Sequence, residues 1–272
     1  MCELFAFSSS NPTRARFLLD EFRLHGCAKG PSCDGWGLAF CDGDSAQVYR
    51  EDKPAAYSEW LNFLLHHENY SQCVISHIRK ATQGAINLQN TQPFLRENHG
   101  SKHVFSHNGD LKNFKDHCVF DRYQPIGDTD SEFAFCHLMD RVSLLWEQDV
   151  TPPTLGQRID LLSATFLEWS RLGPSNIIYS DGEYLFAFAN RRIQQNAKTE
   201  PPGLHYLQRD EQTHKRLNNL IGITLDDSTA KYITLFASVP LSEEAWCPFK
   251  ENELVICKDG KILDKIQVGL KA

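Results

Sequence analysis

The sequence predicts an α+β layered fold. Strand-like segments gather towards the two ends of the chain with two consecutive helices between them, and they do not alternate with helices as parallel βαβ units require. Asn-Gly and Asp-Gly dipeptides at 108–109, 181–182 and 259–260 lie beside apolar runs, which favours antiparallel turns. At 272 residues the chain can bury a sizeable core, in one large domain or two small ones.

Residues 2–7, Cys-Glu-Leu-Phe-Ala-Phe, read as a strand, and residues 14–25 place Phe17, Leu18 and Phe22 on the apolar side of a helix. The stretch 26–35 is a Gly-, Pro- and Ser-containing loop that delivers Asp34-Gly35-Trp36-Gly37 into a short strand at 38–41. A helix is expected at 58–67 and strands at 73–78 and 104–107, the latter running into Asn108-Gly109-Asp110. Residues 130–146 and 154–172 read as the central helices, the second entered through Pro152-Pro153. Strands follow at 176–180, 184–189, 232–239, 254–257 and 261–268. The polar stretch 194–202 reads as a surface loop.

Hydrophobic residues at 41% and charged residues at 23% are ordinary for a soluble globular protein. A net charge of −7 and a pI near 5.9 argue against nucleic acid or an anionic membrane as partner. No stretch approaches the roughly 18 apolar residues of a membrane helix. An N-terminus with Glu3 and no basic segment does not read as a secretory leader, so a cytoplasmic location is expected.

Nine cysteines is an odd count, and with a reducing compartment expected, a disulfide framework is not. No CxxC pair exists among Cys27, Cys33 and Cys41 to suggest zinc. His99, His103 and His107 recur every fourth residue, but on a strand that spacing sets successive rings about 13 Å apart, too far for one metal. Neither the dinucleotide fingerprint nor a Walker pattern appears, so no metal or cofactor is expected.

Four segments could carry chemistry, and each also has a plain structural reading. Cys2 is the start of a buried strand, or a nucleophile exposed by removal of Met1. In the second case an α-amine of pKa about 7.7–8.0 stands beside a thiol of about 8.5 and can serve as its base. Arg79, in His77-Ile78-Arg79-Lys80-Ala81-Thr82-Gln83-Gly84, either makes a structural ion pair or grips a carboxylate at a strand end. Asn108-Gly109 is an ordinary hairpin turn, or two donors aimed at one oxyanion. Gly127-Asp128-Thr129-Asp130-Ser131-Glu132 caps a helix, or offers a carboxylate to a substrate ammonium.

In order along the chain, Cys2, Asp34-Gly35-Trp36-Gly37, His77-Ile78-Arg79, Gln92-Pro93-Phe94, His107-Asn108-Gly109 and Thr129-Asp130-Ser131-Glu132 resemble the class II glutamine amidotransferases. These belong to the N-terminal-nucleophile (Ntn) hydrolases, and the likeness is to their short, stand-alone bacterial type. The resemblance implies a four-layer αββα sandwich of two antiparallel sheets between helical layers, formed by one domain over residues 1–272. It implies that Cys2 attacks the glutamine carboxamide to give a γ-glutamyl thioester, with Asn108 and Gly109 as the oxyanion hole. Arg79, helped by Thr82, would hold the substrate α-carboxylate, and Asp130 its α-ammonium. Lys80 stands where many fused relatives carry Trp, and Gln83 where they carry His, both in the loop expected to cover glutamine. The same clamp fits a γ-glutamyl conjugate, and a non-catalytic regulatory subunit would keep the same pocket. A separate ammonia-accepting synthase subunit and a homo-oligomer stay open as partners.

Overall fold

Sheet pairing begins at the N-terminus, where β1 (Glu3–Thr13) lies in the middle of a seven-stranded antiparallel sheet. The computed structural model describes residues 2–13, 16–30, 32–67, 69–147, 152–194, 196–210 and 230–269. Helix α1 (Arg16–Leu24) leads to the strands β2 (Trp36–Asp42) and β3 (Ser45–Glu51), and helix α2 (Glu59–His66) leads to β4 (Ser71–Ile78). The second sheet takes β5 (Phe94–Asn98), β6 (Ser101–Gly109), β7 (Ser175–Ser180) and β8 (Leu185–Ala189), with the short α3 (Phe114–His117) and the long α4 (Asp130–Trp146) and α5 (Leu155–Ser170) between β6 and β7. A two-stranded ribbon, β9 (Arg192–Ile193) and β10 (Thr199–Glu200), precedes β11 (His205–Asp210), β12 (Tyr232–Ala237) and β13 (Cys247–Pro248). The last two strands are β14 (Glu253–Lys258) and β15 (Lys261–Gln267). The strand orders are β13-β11-β12-β1-β4-β2-β3 and β15-β14-β8-β7-β6-β5.

The two-residue pleat sorts side chains into three layers. Along β1, Phe5 and Phe7 face α1 and α2, where they meet Leu19, Phe22, Leu61 and Leu65. Leu4 and Ala6 face the other sheet, in a layer with Ala39, Ile75, Val104, Ile178, Ala187 and Val255. On the far side Phe105, Ile177 and Phe188 pack under Phe135, Met139, Phe166 and Trp169 of α4 and α5. This is the four-layer αββα sandwich. Leu19 and Phe22 carry the apolar face of α1; the side chains of Phe17 and Leu18 lie outside the described residues. Among those residues no helix is long and apolar enough to cross a membrane.

Several local expectations change. Strand β1 continues through Ser8-Ser9-Ser10-Asn11-Pro12, because serine hydroxyls take up backbone groups there: Gly260 N–H donates to Ser8 Oγ (3.0 Å) and Lys231 N–H to Ser10 Oγ (2.8 Å). Asn108-Gly109 is no hairpin tip, since β6 carries both residues into register with Asn176 and Ser175 of β7. The histidine row is broken as well: His99, with φ of 49°, sits in the turn between β5 and β6. The expected loop at 194–202 holds β10, which pairs with β9. Strands β3, β5 and β11 were not expected, as their polar residues obscure the alternation. Cys27 and Cys33 form a disulfide. An odd cysteine count argues against a fully paired framework but says nothing about one local bridge.

Burial lowers His77 and His103 from 6.5 to about 3. The unfolded chain therefore binds protons more readily at these sites. The stability held by the neutral rings is present above about pH 6.5 and is lost as pH falls towards 3, each ring contributing a slope of up to about 1.4 kcal/mol per pH unit. Urea unfolding is expected to show stability roughly 4 kcal/mol lower at pH 5 than at pH 7.5, about 2 kcal/mol from each ring. An unchanged midpoint would contradict neutral burial of these rings.

Candidate active site

Cys2 lies just before β1, at the end where β4 also finishes; Glu3 pairs with Ile78, which sets Cys2 beside Arg79 and Lys80. The thiol lies against the backbone of one residue: Lys80 N–H donates to Cys2 Sγ (3.2 Å), and Sγ–H donates to Lys80 O (3.3 Å). From the second sheet, the Asn108 amide Nδ2 donates to Cys2 O (2.6 Å). The two sheets thus join at the cysteine. Burial pushes the thiol up, while the Lys80 hydrogen bond and the Arg79 charge pull it down.

The Asn108 backbone is fixed from behind, its carbonyl accepting from Asn176 Nδ2 (3.0 Å) while Asn176 Oδ1 accepts from Asn190 N–H (3.0 Å). Beyond β5, the Gln92 side chain replaces a ladder strand for His107. His107 N–H donates to Gln92 Oε1 (2.6 Å) and Gln92 Nε2 donates to His107 O (3.1 Å). Gly37 makes room for this arrangement, because a Cβ there would lie 2.0 Å from Gln92 O. Gly109 meets a similar limit, with a Cβ position 2.0 Å from Pro174 O and 2.4 Å from His107 Nε2.

Arg79 is buried, and its guanidinium gathers the following loop by donating to Ala85 O (3.0 Å), Gln83 O (3.2 Å) and Gly84 O (3.4 Å). The loop is pinned again by Asp34, whose Oδ2 accepts from Ala81 N–H (2.8 Å) and whose N–H donates to Arg79 O (3.1 Å). Gln83 Nε2 donates to Asp110 Oδ1 (2.6 Å), linking this loop to the end of β6. Thr82 is exposed.

Asp130 opens α4 behind the Thr129 cap. Its carboxylate accepts from Leu111 N–H (2.8 Å) and Ser131 N–H (2.9 Å), and its charge reaches the Cys2 thiol. Asp128 is engaged elsewhere, accepting from Asn90 Nδ2 (2.5 Å). A cavity of about 480 Å³ opens beside Asp130, walled by Gln83, Asp110, Lys112 and Phe133. Glu132, next to it on the helix, accepts from Arg96 (2.7 Å) and from Gly127 N–H (2.6 Å). Cys2, Lys80 and Asn108 are therefore in direct contact, with Arg79 and Gly109 adjoining them. Asn176, Glu132 and the carboxylate of Asp34 were not foreseen as supports. Asp34 and Glu132 stood in quoted motifs without this role; Asn176 gave no local signal.

The model of the family described as glutamine amidotransferases class-II matches residues 1–270. The chain belongs to that family. A Haemophilus influenzae protein with a provisional glutamine amidotransferase name is 28% identical over 268 residues, covering 98% of this chain and 87% of that one. A crystal structure of a predicted glutamine amidotransferase from Pseudomonas aeruginosa superposes with a TM-score of 0.68 at 27% identity, over 97% of this chain and 100% of that one. Glutamine phosphoribosylpyrophosphate amidotransferase of B. subtilis shares the fold, with a TM-score of 0.58 at 14% identity over 99% of this chain and 50% of that one.

Replacing Gly109 by Ala forces a methyl into the Pro174 carbonyl, and the expected cost is about 1–3 kcal/mol of stability in urea unfolding. The change Gln92→Ala leaves the His107 N–H and C=O without their partner and is expected to cost roughly 2–4 kcal/mol. Wild-type stability in either variant would show that the backbone there is free to move.

Proposed function

We propose that the protein hydrolyses the side-chain amide of glutamine to glutamate and ammonia, as one domain spanning residues 1–272. The observation that carries this reading is Cys2 where the two sheets meet, its thiol held by the Lys80 backbone and its carbonyl by the Asn108 amide. Removal of Met1 frees the Cys2 α-amine, which takes the thiol proton as sulfur attacks the carboxamide carbon. The oxyanion is met by the Gly109 N–H and by the Asn108 amide, which donates one hydrogen to Cys2 O and retains a second. Collapse releases ammonia, protonated by the same amine, and leaves a γ-glutamyl thioester. Water then hydrolyses that thioester to glutamate.

Substrate position follows from its two opposite charges. Arg79 receives the α-carboxylate and Asp130 the α-ammonium, so the amide is fixed over the thiol. Three of the five guanidinium donors already hold loop carbonyls. A bidentate carboxylate therefore displaces one of them, and substrate entry is coupled to movement of residues 80–85. The exposed Thr82 comes within reach when that loop shifts.

Purified protein is expected to lack Met1 and to release ammonia from glutamine, and Cys2→Ala to release none. An electrophilic glutamine analogue should attach at Cys2, and Arg79→Ala or Asp130→Ala should raise KM by about thirtyfold or more, which corresponds to the roughly 2 kcal/mol lower end for a lost buried charged contact. Activity should rise with pH as the α-amine deprotonates near pH 7.7–8.0. Full activity with Met1 retained, or adducts at Cys73 instead, would overturn the mechanism. Turnover of γ-glutamyl peptides without turnover of glutamine would replace the substrate while keeping the site.

A further inference from the structure

We propose that Cys27–Cys33 is a thiol–disulfide exchange site, opened by a dithiol reductant, that sets how firmly the surroundings of Cys2 are held. The path is short. Cys33 directly precedes Asp34, whose carboxylate accepts from Ala81 N–H at 2.8 Å and whose own N–H donates to Arg79 O at 3.1 Å. Between those two residues, Lys80 grips Cys2 Sγ through both its N–H and its carbonyl. The bridge is thus separated from the nucleophile by one carboxylate and one peptide segment.

At its other end the bridge is anchored to the close of α1. Ala28 N–H and Lys29 N–H both donate to Leu24 O, and Gly26 O accepts from Ala56 N–H. Cys27 itself adopts φ of 90°, a backbone conformation that L residues rarely hold without constraint. With the bridge closed, Asp34 is tied across the loop to a helix; with it open, Asp34 depends on its own hydrogen bonds. Cys27 and Cys33 are both partly exposed, so a reductant can reach them. The exchange transfers two electrons and two protons. The Cys27–Cys33 bond breaks to give two thiols, while the reductant's two thiols become its disulfide. That the switch acts on glutamine turnover rests on the function proposed above; the loosening of residues 79–81 does not.

The test compares wild-type protein purified without reductant, the same protein treated with dithiothreitol and desalted, and the Cys27→Ser/Cys33→Ser variant. Differential alkylation with mass spectrometry is expected to find Cys27 and Cys33 blocked in the first form and free in the second. Amide hydrogen exchange across 79–81 should be faster by roughly fivefold or more in the reduced protein and in the variant than in the oxidised protein. Alkylation of Cys2 by the glutamine analogue should slow in the same two forms. Free Cys27 and Cys33 thiols in unreduced protein, equal exchange in all three forms, or altered exchange with Cys2 labelled at one rate in all three would each overturn the proposal. If the analogue labels Cys2 in none of the forms while exchange still responds to reduction, the glutamine reading falls and the switch stands.

Discussion

The Asn108 amide Nδ2 donates to the carbonyl oxygen of Cys2 at 2.6 Å, from the second sheet to the first. Either sheet alone would carry an incomplete site: the first supplies a thiol and the arginine loop, the second an amide and, through α4, a carboxylate. The contact requires the N-terminal end of β1 and the C-terminal end of β6 to coincide. That coincidence depends in turn on the register of Glu3 with Ile78 and of Asn108 with Asn176. A slip of one residue in either pairing would turn the Cys2 or the Asn108 side chain to the opposite face.

The groups around that contact are polar and engaged, and all but the half-buried Asp34 are buried. Gln92 completes the backbone of His107, Asn176 that of Asn108, Asp34 that of Ala81, and Glu132 that of Gly127. An unmet buried polar group costs about 1–3 kcal/mol, so each such bond resists displacement by roughly that amount. Arg79 differs from them. It holds loop carbonyls, which in the proposed function a substrate carboxylate replaces with a charge-assisted pair, so the stiff frame surrounds a loop that exchanges partners.

Much of this was legible in the sequence where periodicity and short motifs coincide. The helices at 130–146 and 154–172, the strand leading to His77-Ile78-Arg79 and the order of the motif segments all pointed to the layered fold. Asn108-Gly109 shows the limit of local reading, since the dipeptide that favours a hairpin tip lies inside a ladder once β7 stands beside it. The serine run after Phe7 reads as a break because its hydroxyl partners, at Gly260 and Lys231, come from distant parts of the chain. Asn176 was hidden for the same reason: its importance lies in backbone groups of Asn108 and Asn190 that only the fold brings near. The loop cysteines were counted correctly, but the proximity of two of them is a property of the turn.

The alanines at 6, 39, 187 and 189, all fully buried in the layer between the sheets, set how closely those sheets approach. Where these alanines meet the larger Leu4, Ile75, Val104, Ile178 and Val255, the two sheets behave as plates on a fitted spacer. A larger side chain placed far along the strands becomes a wedge, and the tilt it imposes is felt at the edge where Cys2 and Asn108 touch. On the proposed function, reactivity is therefore vulnerable to changes of core volume remote from Cys2. Variation tolerated for folding in that middle layer is screened a second time by the chemistry at its rim.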